Sequence, residues 1–113
     1  MALISGILQP HEVDGTTFSV AAATASPLQT AFNNALLYIS NNGAFSTTGG
    51  TGVTVTFGSS TGKAPTVPSA TNGFLIPPGQ AIQFYLGANR DSFRVFNLDA
   101  ANAVKVSFQA MSV

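Results

Sequence analysis

The sequence predicts an all-β protein built as a single-domain β-sandwich. Three observations lead there. Apolar and polar residues alternate with period two in five separate runs, clusters of Gly, Asn and Pro fall between the runs, and no sustained helical periodicity separates them. The clearest run is Val53-Thr54-Val55-Thr56-Phe57, which places Val53, Val55 and Phe57 on one face and two threonines on the other. A half-buried strand alternates in this way because successive side chains point to opposite faces of a sheet. The 113 residues make one domain. A chain of this size buries about two-thirds of its extended surface, enough for a core without disulfides.

Taken in order, residues 1–15 read as an extended N-terminal arm and 16–113 as the sandwich domain. The arm carries Leu3, Ile4, Ile7 and Leu8 but no Lys or Arg ahead of them, so it lacks the charged start of a secretory signal. Chain ends fray unless something holds them. This arm is expected either to add to its own sheet or to dock on a neighbour. Alternation then predicts strands at 17–22 (Phe18 and Val20 inward), 53–57, 81–86 (Ile82, Phe84 and Leu86 inward), 93–98 and 103–109 (Val104, Val106 and Phe108 inward).

The segment 27–39 admits two readings. Ser26-Pro27-Leu28-Gln29 has the form of a helix capping box, and Leu28, Phe32, Ala35, Leu36 and Ile39 share one helical face. Ala35-Leu36-Leu37-Tyr38-Ile39 is short and strand-like, however, and runs into Asn41-Asn42-Gly43 before the Val53 strand, as in a hairpin with a long loop. The strand is preferred. Residues 45–51 and 58–72 read as extended loops, the second on the surface. The sum is a jelly-roll-like sandwich of about seven strands.

Charge narrows the function. Only eight residues are charged, four basic and four acidic, for a net charge of zero. At 7% this is far below the roughly 25% of an average domain. Such a surface cannot supply the phosphate-neutralising patch of a nucleic-acid binder or the polybasic patch of a membrane-surface protein. No apolar run approaches the ~20 residues needed to span a bilayer. Twelve Thr, eleven Ser and eight Asn must coat the exterior instead, which suits packing against neighbours. Cysteine and tryptophan are absent, so no thiolate site or Cys nucleophile exists.

The motifs that hint at chemistry do not carry it. Gly58-Ser59-Ser60-Thr61-Gly62-Lys63-Ala64 looks like a phosphate loop, but Phe57 stands where its first glycine belongs and Ala64 where the Mg²⁺ hydroxyl belongs. His11-Glu12-Val13-Asp14 gathers an imidazole and two carboxylates, too few ligands to close a coordination sphere, and Asp14-Gly15 reads as a turn. No serine sits in a Gly-x-Ser-x-Gly elbow, and a catalytic triad would have to use His11, the one histidine. The expectation is no catalytic residue, no metal site, no cofactor and no small-molecule substrate. Arg90-Asp91-Ser92-Phe93-Arg94 holds half the basic residues. It suggests a local Asp91–Arg94 ion pair, or else a partner-binding spot at Arg90 and Arg94. The candidate interface is therefore Leu3, Ile4, Ile7, Leu8, Arg90 and Arg94.

The order of elements resembles a known group. Leu36-Leu37-Tyr38-Ile39-Ser40-Asn41-Asn42-Gly43 is followed by Val53-Thr54-Val55-Thr56-Phe57-Gly58, then Leu75-Ile76-Pro77-Pro78-Gly79, then Val104-Lys105-Val106-Ser107-Phe108. This is similar to the small β-sandwich decoration, or cement, proteins of tailed bacteriophage capsids, over residues 36–113. The long 45–52 and 58–72 insertions depart from that compact pattern. The resemblance implies a non-enzymatic virion structural protein on the capsid exterior, made in the host cytoplasm. Its partners would be its own copies, as a homotrimer, and the major capsid protein. The competing expectation is a receptor- or carbohydrate-binding sandwich of a phage fibre or tail, a role that commonly uses exposed Trp or Tyr platforms. Here only Tyr38 and Tyr85 are available.

Overall fold

The computed structural model describes residues 9–10, 15–31, 35–43 and 52–112, and among them every regular element is a strand. In chain order these are β1 (Gln9–Pro10), β2 (Thr16–Val20), β3 (Gln29–Thr30), β4 (Ala35–Asn41), β5 (Val53–Gly58), β6 (Phe74–Ile76), β7 (Ala81–Leu86), β8 (Ser92–Asn97) and β9 (Val104–Ser112). All pairings are antiparallel. One sheet runs β2-β9-β4-β7, with β1 continuing the line of β2 along the far end of β9. The other runs β3-β8-β5-β6.

From β2 onward the chain changes sheet at every connection except that between β5 and β6. That winding is a jelly roll of two four-wide sheets. The arrangement follows from the alternation, since each strand has one apolar face and the two sheets can bury those faces only against each other. Val20 and Val106, Leu37 and Ile39, and Leu86 and Phe108 come from one sheet; Val53, Val55, Ile76, Phe93 and Val95 come from the other.

The strands predicted by alternation are present, with β9 extending to Ser112. Residues 35–41 are a strand rather than a helix. The apparent capping box has another use. Ser26 is buried, its amide donates to the Val95 carbonyl (2.7 Å) and its hydroxyl accepts the Val95 amide (3.0 Å). The ladder partners Ala25↔Phe96 and Gln29↔Phe93 leave three residues, 26–28, facing two. This is a bulge, and it gives Pro27 a position where no ladder N–H is required.

Two expectations need correction. β4 and β5 do not form a hairpin, because β4 pairs with β7 and β9 while β5 pairs with β6 and β8 in the opposite sheet. The threonines of β5 are also not a plain solvent face. The loop at 59–73 folds back across them, so that Thr54 donates to the Ser69 carbonyl (3.0 Å) and Thr56 to the Thr66 carbonyl. Thr54 is buried as a result, together with Pro65 and Pro68. Phe57 points inward as expected but is only half-buried, at the open flank of the sandwich.

Candidate interaction surfaces

The eight charges divide the chain, for none lies between Asp14 and Lys63 or between Lys63 and Arg90. The structure turns this spacing into geography. β6 and β7 edge the two sheets along one flank of the molecule; residues 64–89 contribute no charge to it, and Lys63 and Arg90 stand at its end beside Phe57. Phe74 (61% exposed), Tyr85 (62%) and Leu75 (52%) stand out from this flank. The Phe74 ring packs on Phe84 (centroids 5.7 Å apart), which in turn meets Phe57 (4.8 Å) in a tilted aromatic cluster. An apolar exposure of this kind marks a contact surface more often than a free one.

The outer face of the β2-β9-β4-β7 sheet is polar at one end and amphipathic at the other. At the polar end Thr17 and Ser107 share a hydrogen bond (2.8 Å), Asn42 donates to Ser107 (2.7 Å) and Ser40 donates to Asn42 (2.8 Å). The neutral coat inferred from composition is thus a bonded network across three strands. At the other end the register places Leu36 beside Tyr85 and Met111, and Tyr38 beside Gln83 and Gln109. The two tyrosines are consequently diagonal neighbours on one face. Tyr38, Ser40, Ser107 and Gln109 also line a shallow depression of about 200 Å³.

The structure gives the predicted interface residues different fates. Leu3, Ile4, Ile7 and Leu8 lie outside the described residues, as do His11, Glu12 and Asp14. Just beyond the apolar arm, Gln9 and Pro10 pair with Ser112 and Met111 of the chain's own sheet. Asp91 does not pair with Arg94. Its carboxylate accepts the amide of Ser60 (2.7 Å) and the hydroxyl of Ser60 (2.6 Å), tying the 59–63 turn to the start of β8. The Ser60 hydroxyl, then its amide, hold the Asp91 carboxyl below the usual aspartate range.

Arg94 lies on the outer side of β8 opposite Thr56, with its Nε buried and without a hydrogen-bond partner. Arg90 is exposed, donates to the Asn89 carbonyl (3.0 Å), and shares with Lys63 a depression of about 170 Å³. Two of the four basic residues therefore meet at one end of the sandwich. Sequence spacing alone could not bring Lys63 to Arg90, since the link depends on the 59–63 turn being held by Asp91.

Among the described residues no three His, Cys, Asp or Glu side chains gather to hold a metal ion, and no helix is long and apolar enough to cross a membrane.

No protein-family profile matches the chain, and no curated protein matches it in sequence. Among solved structures, similarity is found to a chain from work described as "Bacillus endospore appendages form a novel family of disulfide-linked pili". It extends over 100% of this chain and 96% of that one, at 18% identity and a TM-score of 0.49.

Proposed function

We propose that this chain is a non-enzymatic structural protein of a bacteriophage virion, which decorates and stabilises the capsid exterior through contacts with its own copies and with the major capsid protein. The observation that carries the reading is the apolar flank, where Phe74, Leu75 and Tyr85 are more than half exposed and residues 64–89 bring no charge of their own. A free domain keeps such groups dispersed by charge, whereas an assembly subunit covers them. The jelly-roll winding supports the reading by analogy of fold alone, since capsid domains and lectins both use it.

The experiment is to add the purified protein to capsids that lack it and count bound copies across a salt series. Hundreds of copies per particle, retained at high salt, are expected from an uncharged interface. Absence from the particle, or a handful of copies confined to a tail, overturns the proposal. One observation favours the second reading, a glycan-binding sandwich of a fibre or tail. Tyr38 and Tyr85 share an outer face with Gln83 and Gln109, a neutral aromatic and amide platform. A glycan array probed with the intact protein distinguishes it.

A further inference from the structure

β7 is an edge strand. It pairs with β4 on one side, and among the described residues no strand lies on the other. Which of its backbone groups face the open side follows from the ladder. At the end of β4 the Asn41 amide donates to the Gln80 carbonyl (2.9 Å) on the β7 side and the Asn42 amide to the Lys105 carbonyl (2.9 Å) on the β9 side, so Ala35, Leu37 and Ile39 bond toward β7, opposite Leu86, Phe84 and Ile82. Hydrogen-bonded pairs recur at every second position of an antiparallel ladder. Ile82, Phe84 and Leu86 therefore turn their N–H and C=O groups toward β4, and Ala81, Gln83 and Tyr85 turn theirs outward. Nothing among the described residues bonds to these from the open side.

Natural edge strands are normally blunted by a charge, a proline, a bulge or brevity. β7 has six residues, Ala-Ile-Gln-Phe-Tyr-Leu, with no charge and no proline. The other edges are less inviting. β6 has three residues and β3 has two, and the opposite edge of the same sheet is divided between β1 and β2.

We infer that β7 is the surface through which two copies of this chain meet, pairing antiparallel about a two-fold axis that passes beside Gln83. The sequence of β7 is complementary to itself in that register. Gln83 faces Gln83 of the second copy, Tyr85 lies beside Ala81, and Ile82 lies beside Phe84. A large ring thus meets a methyl group twice, and two side-chain amides meet at the axis. The three outward residues of each copy supply three hydrogen-bonded pairs, and the two outer faces join into one continuous surface. The second copy also approaches the exposed Phe74 ring, which packs on Phe84. A two-fold contact builds dimers, so a trimer requires a separate surface. The inference rests on the reading that copies of the chain assemble.

The chain has no cysteine, so a single introduced thiol reports on this contact without interference. Paired residues of an antiparallel ladder are close enough for a disulfide. Under mild oxidation at micromolar concentration, Gln83→Cys is expected to form a covalent dimer. Ala81→Cys and Tyr85→Cys are expected to link only when mixed, and Thr17→Cys on β2 is expected not to link. Gln83→Lys and Gln83→Glu should each weaken association about tenfold by placing like charges opposite one another, and a mixture of the two should restore it. Light scattering on the unmodified chain separates the two levels of the argument. Self-association without a Gln83→Cys link, or with an equal link at Thr17→Cys, overturns the β7 contact and leaves assembly standing. A monomer throughout overturns both.

Discussion

Phe93 and Phe108 meet edge to face across the middle of the sandwich, their ring centroids 4.9 Å apart and their planes at 86°. One belongs to β8 and the other to β9, so this contact joins the two sheets directly. Phe93 is wholly buried, whereas Phe57 is half-buried and packs at the flank. Removing the Phe93 ring leaves a cavity between sheets that cannot collapse without breaking strand pairing. Phe93→Ala is expected to destabilise by about 3–5 kcal/mol, and Phe57→Ala by about half as much. Equal denaturant midpoints for the two variants would contradict this ranking.

A second pair ties the sheets together with polar groups. Asn41, on β4, donates its side-chain amide to the Ile76 carbonyl of the opposite sheet (3.1 Å) and accepts the Gly43 amide (2.9 Å). Asn97, on β8, donates to the carbonyls of Val20 in the other sheet (3.2 Å) and Asn102 (2.8 Å), and accepts the Asp99 amide (2.9 Å). Both residues are buried at the end of their strands, where backbone groups would otherwise go unpaired. Asn97→Leu keeps the approximate volume and strands the Val20 and Asn102 carbonyls. A loss of about 1–3 kcal/mol is expected, measured by urea denaturation against Asn102→Ala as a control, which keeps the backbone acceptor.

Gly58 ends β5 at a place where the chain turns back on itself. A Cβ there would lie 2.4 Å from the Pro65 nitrogen and 2.7 Å from the Lys63 carbonyl oxygen, both backbone atoms that cannot swing aside. Gly58→Ala should therefore lift the 59–73 loop from β5 and expose Thr54. The expected readout is faster amide exchange at 64–72 with the core strands unchanged. Unaltered exchange in this loop would show that the contact is not restrictive.

These features mark how much of the fold was legible in the sequence. Period-two alternation identified β2, β5, β7, β8 and β9, because each has one side chain in two against the core. β3 and β6 carry no such signal because two or three residues cannot display a period. Their presence is set by what they pair with, Gln29 with Phe93 and Phe74 with Val55. The Ser26 motif looked like a cap because a hydroxyl that serves a helix end serves a bulge equally well. The candidate surfaces were legible only in part. Arg90 could be singled out by its neighbours in sequence, but Lys63 and the Phe74–Tyr85 flank are assembled by topology.

The last prediction concerns acid. The Ser60 hydroxyl, followed by the Ser60 amide, lowers the Asp91 carboxyl below its ordinary value, and the amides of Ala101 and Asn102 lower that of Asp99 in the same direction. A carboxyl whose value is lower in the folded state binds fewer protons there than in the unfolded chain. Its contribution is complete above the unfolded value of about 3.9 and is lost as pH falls through the folded value. Both groups are solvent-exposed, so the loss from each is small. Thermal stability should accordingly be nearly flat as pH descends to about 5, then decline below about 4. Asp91→Asn should remove part of that decline, because an amide cannot reproduce the charge-assisted bonds to Ser60. It should also lower the neutral-pH melting temperature by a few degrees and loosen the 59–63 turn, which would separate Lys63 from Arg90. A variant that melts like the parent at pH 7 and declines as steeply below pH 4 would show that the Ser60 contact does not hold that end of the molecule.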